Sequence, residues 1–208
     1  MPYGTPVYLQ QPTIAVMLPD NATTVANEVI NLLERKGGAD YAGEAITQLE
    51  HACQAAQLAA ADGQPEEVVL AALLHDIGHL LDDEPGTEQM DGYGVMDHEG
   101  VGAEYLLQRG FGQTVAMLIR THVAAKRYLC AVNQRYYQSL SDASKATLQF
   151  QGGPMSAEEV SAFEANPHWR LIIKMRSWDE QAKQTGVPLP ALDTYRQMIT
   201  RHLARTGS

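Results

Sequence analysis

The stretch AALLHDIGHLLDD, residues 71–83, sets His75, Asp76 and His79 among alanines and leucines. An apolar helix can hide one hydrogen-bonded histidine. An adjacent His-Asp pair with a second histidine four residues on is costly to bury without partners. Imidazole and carboxylate are both good metal ligands, so a metal ion is the first partner this segment suggests. Five of the seven histidines, His51, His75, His79, His98 and His122, lie in mostly apolar, helix-like surroundings. The other two, His168 and His202, sit near a helix start and in a basic C-terminal segment, and are expected to be solvated or capping.

Spacing sharpens the pattern. Tyr41, Glu44, Gln48 and His51 are separated by three, four and three residues, which on a continuous helix puts them on one side. His75 and His79 stand one helical turn apart, as do His122 and Lys126, and Arg176 and Asp179 are related by i,i+3. Polar side chains are therefore expected to point inward from five helices at a buried centre of a helical bundle.

The elements that would position these groups are marked by turns and caps. Helical periodicity runs through residues 21–38 to Gly37-Gly38, and an Ala-rich helix is expected over 40–63. Pro65 opens the next helix, which carries the His-Asp pair to about Leu81. After an acidic, Gly-rich loop, further helices are expected from His98 to Gly110 and from Gln113 to Cys130. Others are expected after Ser141, after Ser156 with a Ser156/Glu159 capping box, over 168–186, and from Ala191 to the C-terminus. No run alternates with period two, so the expected class is all-α. Four prolines in the first nineteen residues suggest that residues 1–20 form an extended arm on a single domain spanning 21–208.

Bulk composition narrows the function. The 208-residue chain is long enough for one real core, and its net charge of −10 argues against general affinity for nucleic acid or anionic membranes. Neither a signal peptide nor a membrane span is expected, and Cys53 and Cys130 read as reduced, buried thiols of a cytoplasmic protein.

The order His51, His75-Asp76, Asp179 resembles the HD-domain superfamily of helical metalloproteins, which take their name from the adjacent pair. The segments DYAGEAITQLEH, VLAALLHDIGH, GYGVMDHEGVGAEYL, HVAAKRYL, LSDASKATLQFQGGPM and RSWDEQAKQT are similar to one subgroup in particular. These are the phosphonate-cleaving, mixed-valence diiron oxygenases of the PhnZ type. The resemblance spans roughly Asp40 to Leu203. It implies an HD-type bundle with two irons, Fe(II) and Fe(III), one held by His51, His75 and Asp179, the other by His98 and His122, with Asp76 bridging. It further implies that His79, Lys126, Ser144, Thr147 and Arg176 hold a phosphonate, that Glu44 lies near the substrate amine, and that Tyr41 guards the open iron position. The implied reaction uses O₂ to convert (R)-2-amino-1-hydroxyethylphosphonate into glycine and phosphate.

Alternatives stay open at this level. The same chemistry could act on the N-trimethylated analogue, and a related iron enzyme could oxidise a polyol. An HD phosphohydrolase would use a similar ligand set, whereas a degenerate scaffold serving only as a binding module would lack ligands. Tyr41 could simply pack, Lys126 and especially Arg127 could face solvent, Ser144 and Thr147 could bond their own backbone, and Arg176 could be a structural ion-pair partner. Tyr93 could belong to a lid or to a simple turn. Oligomeric state is not legible.

Overall fold

Seven consecutive residues, Val68 to Leu74, are buried whichever way they point, so the segment that carries them has to run through the middle of the molecule. In a computed structural model, which describes residues 19–41, 43–81, 90 and 94–206, this segment is α3 (Glu66–Leu74). It packs against α2 (Gln48–Ala61), α5 (Gln113–Val132), α9 (Trp169–Gln181) and α10 (Leu192–Thr206). Around this centre α1 (Pro19–Lys36) lies on α10, and α4 (His98–Leu107) lies on α5 and on the 3₁₀ turn Ile77–Leu81. The shorter α6 (Gln134–Ser139), α7 (Asp142–Phe150) and α8 (Ala157–Glu164) follow α5. The class is all-α: among the described residues the only extended pairing is an isolated bridge between Asp40 and Thr47. No described helix is long and apolar enough to cross a membrane.

Two expected helices are cut short, both next to the polar centre. The helix expected over 40–63 begins only at Gln48. Thr47 caps it, with a reciprocal capping box in which the Thr47 side chain accepts from Glu50 N–H and the Glu50 carboxylate accepts from Thr47 N–H. Ahead of the cap, Gly43 turns the chain at φ +78°, a conformation open to glycine but strained for other residues. Tyr41 and Glu44 therefore sit on a loop rather than on the helix of His51.

The helix expected to run on to Leu81 stops at Leu74. His75 ends it by donating from Nδ1 to the Ala72 carbonyl at 2.9 Å, filling one of the acceptors a helix end leaves open. The chain then tightens into the 3₁₀ turn, so His75 and His79 do not share one α-helical face.

Elsewhere the caps fall where the sequence puts them. Ser141 caps α7, and Ser156 and Glu159 form the capping box of α8. Helix α6 is an addition that no periodicity announced. Of the two roles expected for His202, solvated or capping, the structure shows the second: it is buried, and its Nε2 accepts from the Gly112 N–H at the start of α5, a cap supplied from a distant helix. His168 is exposed at the start of α9 and makes no side-chain cap bond. Arg127 also departs from expectation. It is largely covered, donating to the Gly153 carbonyl and to Glu159, and so ties α5 to the turn before α8. Both cysteines are free and buried. The arm over residues 1–20 falls mostly, and Tyr93 entirely, outside the described residues.

Candidate metal centre and substrate cavity

Six side chains from α2, the α3 terminus, α4, α5 and α9 meet in one buried cluster. His51 and His75 bring their Nε2 atoms to 3.1 Å from each other, and His98 and His122 do the same. Asp76 stands between the two pairs. Its Oδ2 is 3.5 Å from His51 Nε2 and 3.3 Å from His75 Nε2, while its Oδ1 is 3.2 Å from His98 Nε2 and 3.4 Å from His122 Nε2. Asp179 Oδ1 joins the first pair, 3.4 Å from His51 Nε2 and 3.8 Å from His75 Nε2.

Hydrogen bonds on the far side of the rings fix what these nitrogens can do. His51 Nδ1 donates to the Ala182 carbonyl at 2.8 Å, His75 Nδ1 to Ala72, and His122 Nδ1 to Ile119 at 2.7 Å. A neutral imidazole that donates from Nδ1 has only a lone pair at Nε2. Two such lone pairs 3.1 Å apart, with carboxylate oxygens around them, repel unless a proton or a metal cation lies between. Asp179 Oδ1 is moreover buried without a hydrogen-bond partner.

The spacing suits a cation as well. Ligand atoms about 2.1 Å from one ion and at right angles to each other are about 3.0 Å apart. A carboxylate that turns one oxygen to each histidine pair could serve two metal ions at once. The residues present thus fit two ions, one with ligands from His51, His75, Asp76 and Asp179, the other with Asp76, His98 and His122. The nitrogen-and-carboxylate donor set is of the kind that takes iron or another first-row metal.

The electrostatics agree. Burial alone would raise the Asp76 carboxyl, but His75, His122 and His98 hold it well below the usual carboxylate range. Asp179 is held low in the same way by Arg176 and His51 against the effect of burial. Burial pulls His75 down, yet Asp76 and Asp179 outweigh it and lift the imidazolium to about 9. Positive charge is what this cluster attracts.

Beside the cluster opens a cavity of about 60 Å³, small against the roughly 300–1,000 Å³ of sites for drug-sized ligands. Every residue that the resemblance assigned to substrate lines it, namely Glu44, His79, Lys126, Ser144, Thr147 and Arg176, and so does Tyr41, assigned to guard the metal. Lys126, on α5 one turn after His122, is buried and donates to Thr147 Oγ1 at 2.9 Å. Arg176 lies one turn before Asp179 and bonds it directly. It also donates to Glu180, and from Nε to the Tyr136 hydroxyl at 2.9 Å. Three of its five N–H groups are thereby used, which leaves two for a ligand. Arg176 is thus a structural ion-pair partner and a cavity residue at once.

His79 stacks on His98 with 3.9 Å between ring centroids, and its Nδ1 accepts from Val95 N–H. Burial first, and then neighbouring His98, push its pKa well below 6.5, so the ring is neutral with Nε2–H as donor. Tyr41 stacks on His51 at 3.9 Å. Burial, followed by Asp76 and Asp179, pushes its phenol well above 10.

Residues 48–160 match the HD domain family model. Two relatives narrow the family further. A [1-hydroxy-2-(trimethylamino)ethyl]phosphonate dioxygenase (glycine-betaine-forming) of Leisingera caerulea is 41% identical over 181 residues, 87% of this chain and 91% of the relative. A hydroxymethylphosphonate dioxygenase of Gimesia maris is 42% identical over 178 residues, 85% and 88% of the two chains. The chain belongs to the HD-domain family, among its PhnZ-type oxygenases. A protein of Acanthamoeba polyphaga mimivirus is similar to the same extent, 42% identical over 180 residues, 86% of this chain and 82% of that one.

For an HD-domain protein the motif led straight to the cluster, but the cavity residue Lys183 and the Arg176 partner Tyr136 escaped the sequence reading. Lys183, four residues past Asp179 in RSWDEQAKQT, pairs with Glu44 at 3.0 Å and lines the cavity. Its place in that segment was the available signal. Tyr136, which holds Arg176, comes from the unannounced helix α6 and left no signal.

Proposed function

We propose that this HD-domain oxygenase uses O₂ and two irons, Fe(II) and Fe(III), to cleave the carbon–phosphorus bond of a small 1-hydroxyphosphonate. Its proposed substrate is (R)-2-amino-1-hydroxyethylphosphonate, and its products are glycine and phosphate. The observation that carries this reading is the joining of two features in one small space. Asp76 is shared between two histidine pairs, and the adjoining cavity is lined by Lys126, Ser144, Thr147 and Arg176. The reaction balances without an external reductant. Both atoms of O₂ end in the products, the carbinol carbon is oxidised to a carboxylate, and phosphorus leaves as phosphate.

When bound, the irons supply O₂ activation and a cationic platform for the substrate's oxygens. The chain's own groups do the rest. Lys126 and two free Arg176 N–H groups give charge-assisted donors to the phosphonate, and Ser144, Thr147 and His79 complete its shell. Glu44 faces the substituent on the second carbon. Tyr41, flat against His51, covers the open side of the first histidine pair until substrate arrives.

The N-trimethylated analogue is the second reading. It is favoured by the Leisingera relative, and by the Tyr41 ring, which offers a face to a quaternary ammonium. A phosphohydrolase acting on nucleotides fits less well, because the cavity is small.

Phosphate release from (R)-2-amino-1-hydroxyethylphosphonate by iron-loaded protein, with and without O₂, tests the reading. Release that requires O₂ and yields glycine in equal amount is expected. Anaerobic hydrolysis of a phosphoester, with no oxidative release from either phosphonate, would overturn it.

A further inference from the structure

Lys183 stands where the proposed reaction needs a different cation. Its Nζ is 3.0 Å from Glu44 Oε1, 3.4 Å from Ser144 Oγ and 5.9 Å from the centre of the Tyr41 ring. Glu180, at 4.0 Å, is a second and weaker carboxylate partner. Both Lys183 and Glu44 are largely withdrawn from solvent, with 13% and 17% of their side chains exposed. The ammonium therefore bridges the 40–47 loop, the start of α7 and the end of α9, and it does so on the cavity wall.

A substrate ammonium drawn to Glu44 would enter a space already holding the cations Lys183, Lys126 and Arg176. One carboxylate would then face two ammonium groups at close range. Like charges held together in a partly dry site disfavour one another. We infer that Lys183 is a specificity-determining residue: it competes with a substrate's ammonium for Glu44 and so sets how strongly the site prefers a charged over an uncharged substituent. The inference rests on the phosphonate reading given above. On that reading, a lysine here tunes the site between amine-bearing phosphonates and smaller hydroxyphosphonates that lack an amine.

The test compares two ligands of nearly equal shape, 2-aminoethylphosphonate and n-propylphosphonate, which differ in carrying an ammonium or a methyl group. Neither carries the 1-hydroxyl, so binding to the iron-loaded protein can be measured by calorimetry without oxygen. The readout is the ratio of the two Kd values. In Lys183→Met the ratio is expected to move toward the ammonium ligand by roughly tenfold, about 1.4 kcal/mol. Lys183→Arg, which keeps the charge, should stay close to wild type. In a Glu44→Gln background the Lys183→Met change should have little effect on the ratio, because the contested carboxylate is gone.

An unchanged ratio in Lys183→Met, or one that moves toward the methyl ligand, would overturn the competition and mark Lys183 as a prop that positions Glu44. Should Lys183→Met not fold, Lys183→Gln carries the same expectation. Wild-type protein that binds neither ligand would instead overturn the phosphonate reading itself, and the inference with it.

Discussion

His51 and His75 point their Nε2 lone pairs at each other across 3.1 Å, each ring locked from behind by a bond from Nδ1 to a backbone carbonyl. While both rings are neutral, neither nitrogen can donate to the other. The backbone has thus been arranged, at Ala72 and Ala182, to make a site that is unfavourable by itself and favourable with a cation in it.

Metal content should follow the sharing of Asp76. Iron-loaded wild type is expected to carry two irons per chain by elemental analysis. His98→Ala should retain about one, and Asp76→Ala close to none. Ions that bind only the folded state add stability, so chelation should lower the melting temperature of wild type and barely move that of Asp76→Ala. Equal iron in all three proteins would contradict the bridge.

Gly78 controls the second histidine pair through the backbone. A Cβ placed there would lie 2.0 Å from the His98 carbonyl oxygen, a contact no side-chain rotation can relieve. Gly78→Ala should push the start of α4 away, with a loss of roughly 1–3 kcal/mol of stability in urea denaturation. It should also lose the iron bound next to His98. Retention of both irons at wild-type stability would show that the close approach is dispensable.

Anion binding should depend on Lys126. Burial, and then the neighbouring Arg176 cation, push its pKa down to about 7, with Asp179 and Asp76 pulling weakly the other way. The protonated form, which grips an anion, is therefore present below about pH 7 and lost above it. The affinity of the substrate-free protein for methylphosphonate should fall between pH 6 and pH 8, although the anion's own titration adds negative charge over that range. Lys126→Met should bind more weakly and with a flatter profile. The sign for stability follows from the same depression. The unfolded lysine titrates near ~10.4, so the unfolded chain binds the extra proton between about 7 and 10.4. This group's contribution is full above the unfolded value and is lost as the pH falls through about 7.

Tyr41 should act as a cover rather than as a prop. Tyr41→Phe keeps the stacking on His51 but removes the phenol, so the fold and melting temperature should change little. Substrate-free, iron-loaded Tyr41→Phe should consume O₂ unproductively at a rate at least several-fold above wild type. An unchanged rate and an unchanged iron spectrum would remove the gating role.

Much of the molecule was legible in the chain itself. Pro65 announced the helix that is α3, and the caps at Ser141 and Ser156 announced α7 and α8. The His-Asp pair pointed to metal because such residues are rarely buried for any other reason. The local geometry was read less well. A spacing of three, four and three implied a shared helix face for Tyr41, Glu44, Gln48 and His51, yet the Thr47 cap and the Gly43 turn break that helix ahead of Gln48. Tyr41 and Glu44 reach the cavity all the same, by way of a loop. The periodicity led to the right neighbourhood for the wrong reason.

The sequence by itself determined the residue types, the helical class and the order in which the candidate ligands come along the chain, because these follow from local spacing and from the cost of burying charge. Only the tertiary structure decided which oxygen of Asp76 faces which histidine pair, which carbonyls lock the rings, and that Lys183 rather than solvent meets Glu44. Those relationships join residues as far apart as Glu44 and Lys183, or His51 and Ala182. Such contacts are set by how helices pack, and packing distances are not written in the local pattern of any one helix.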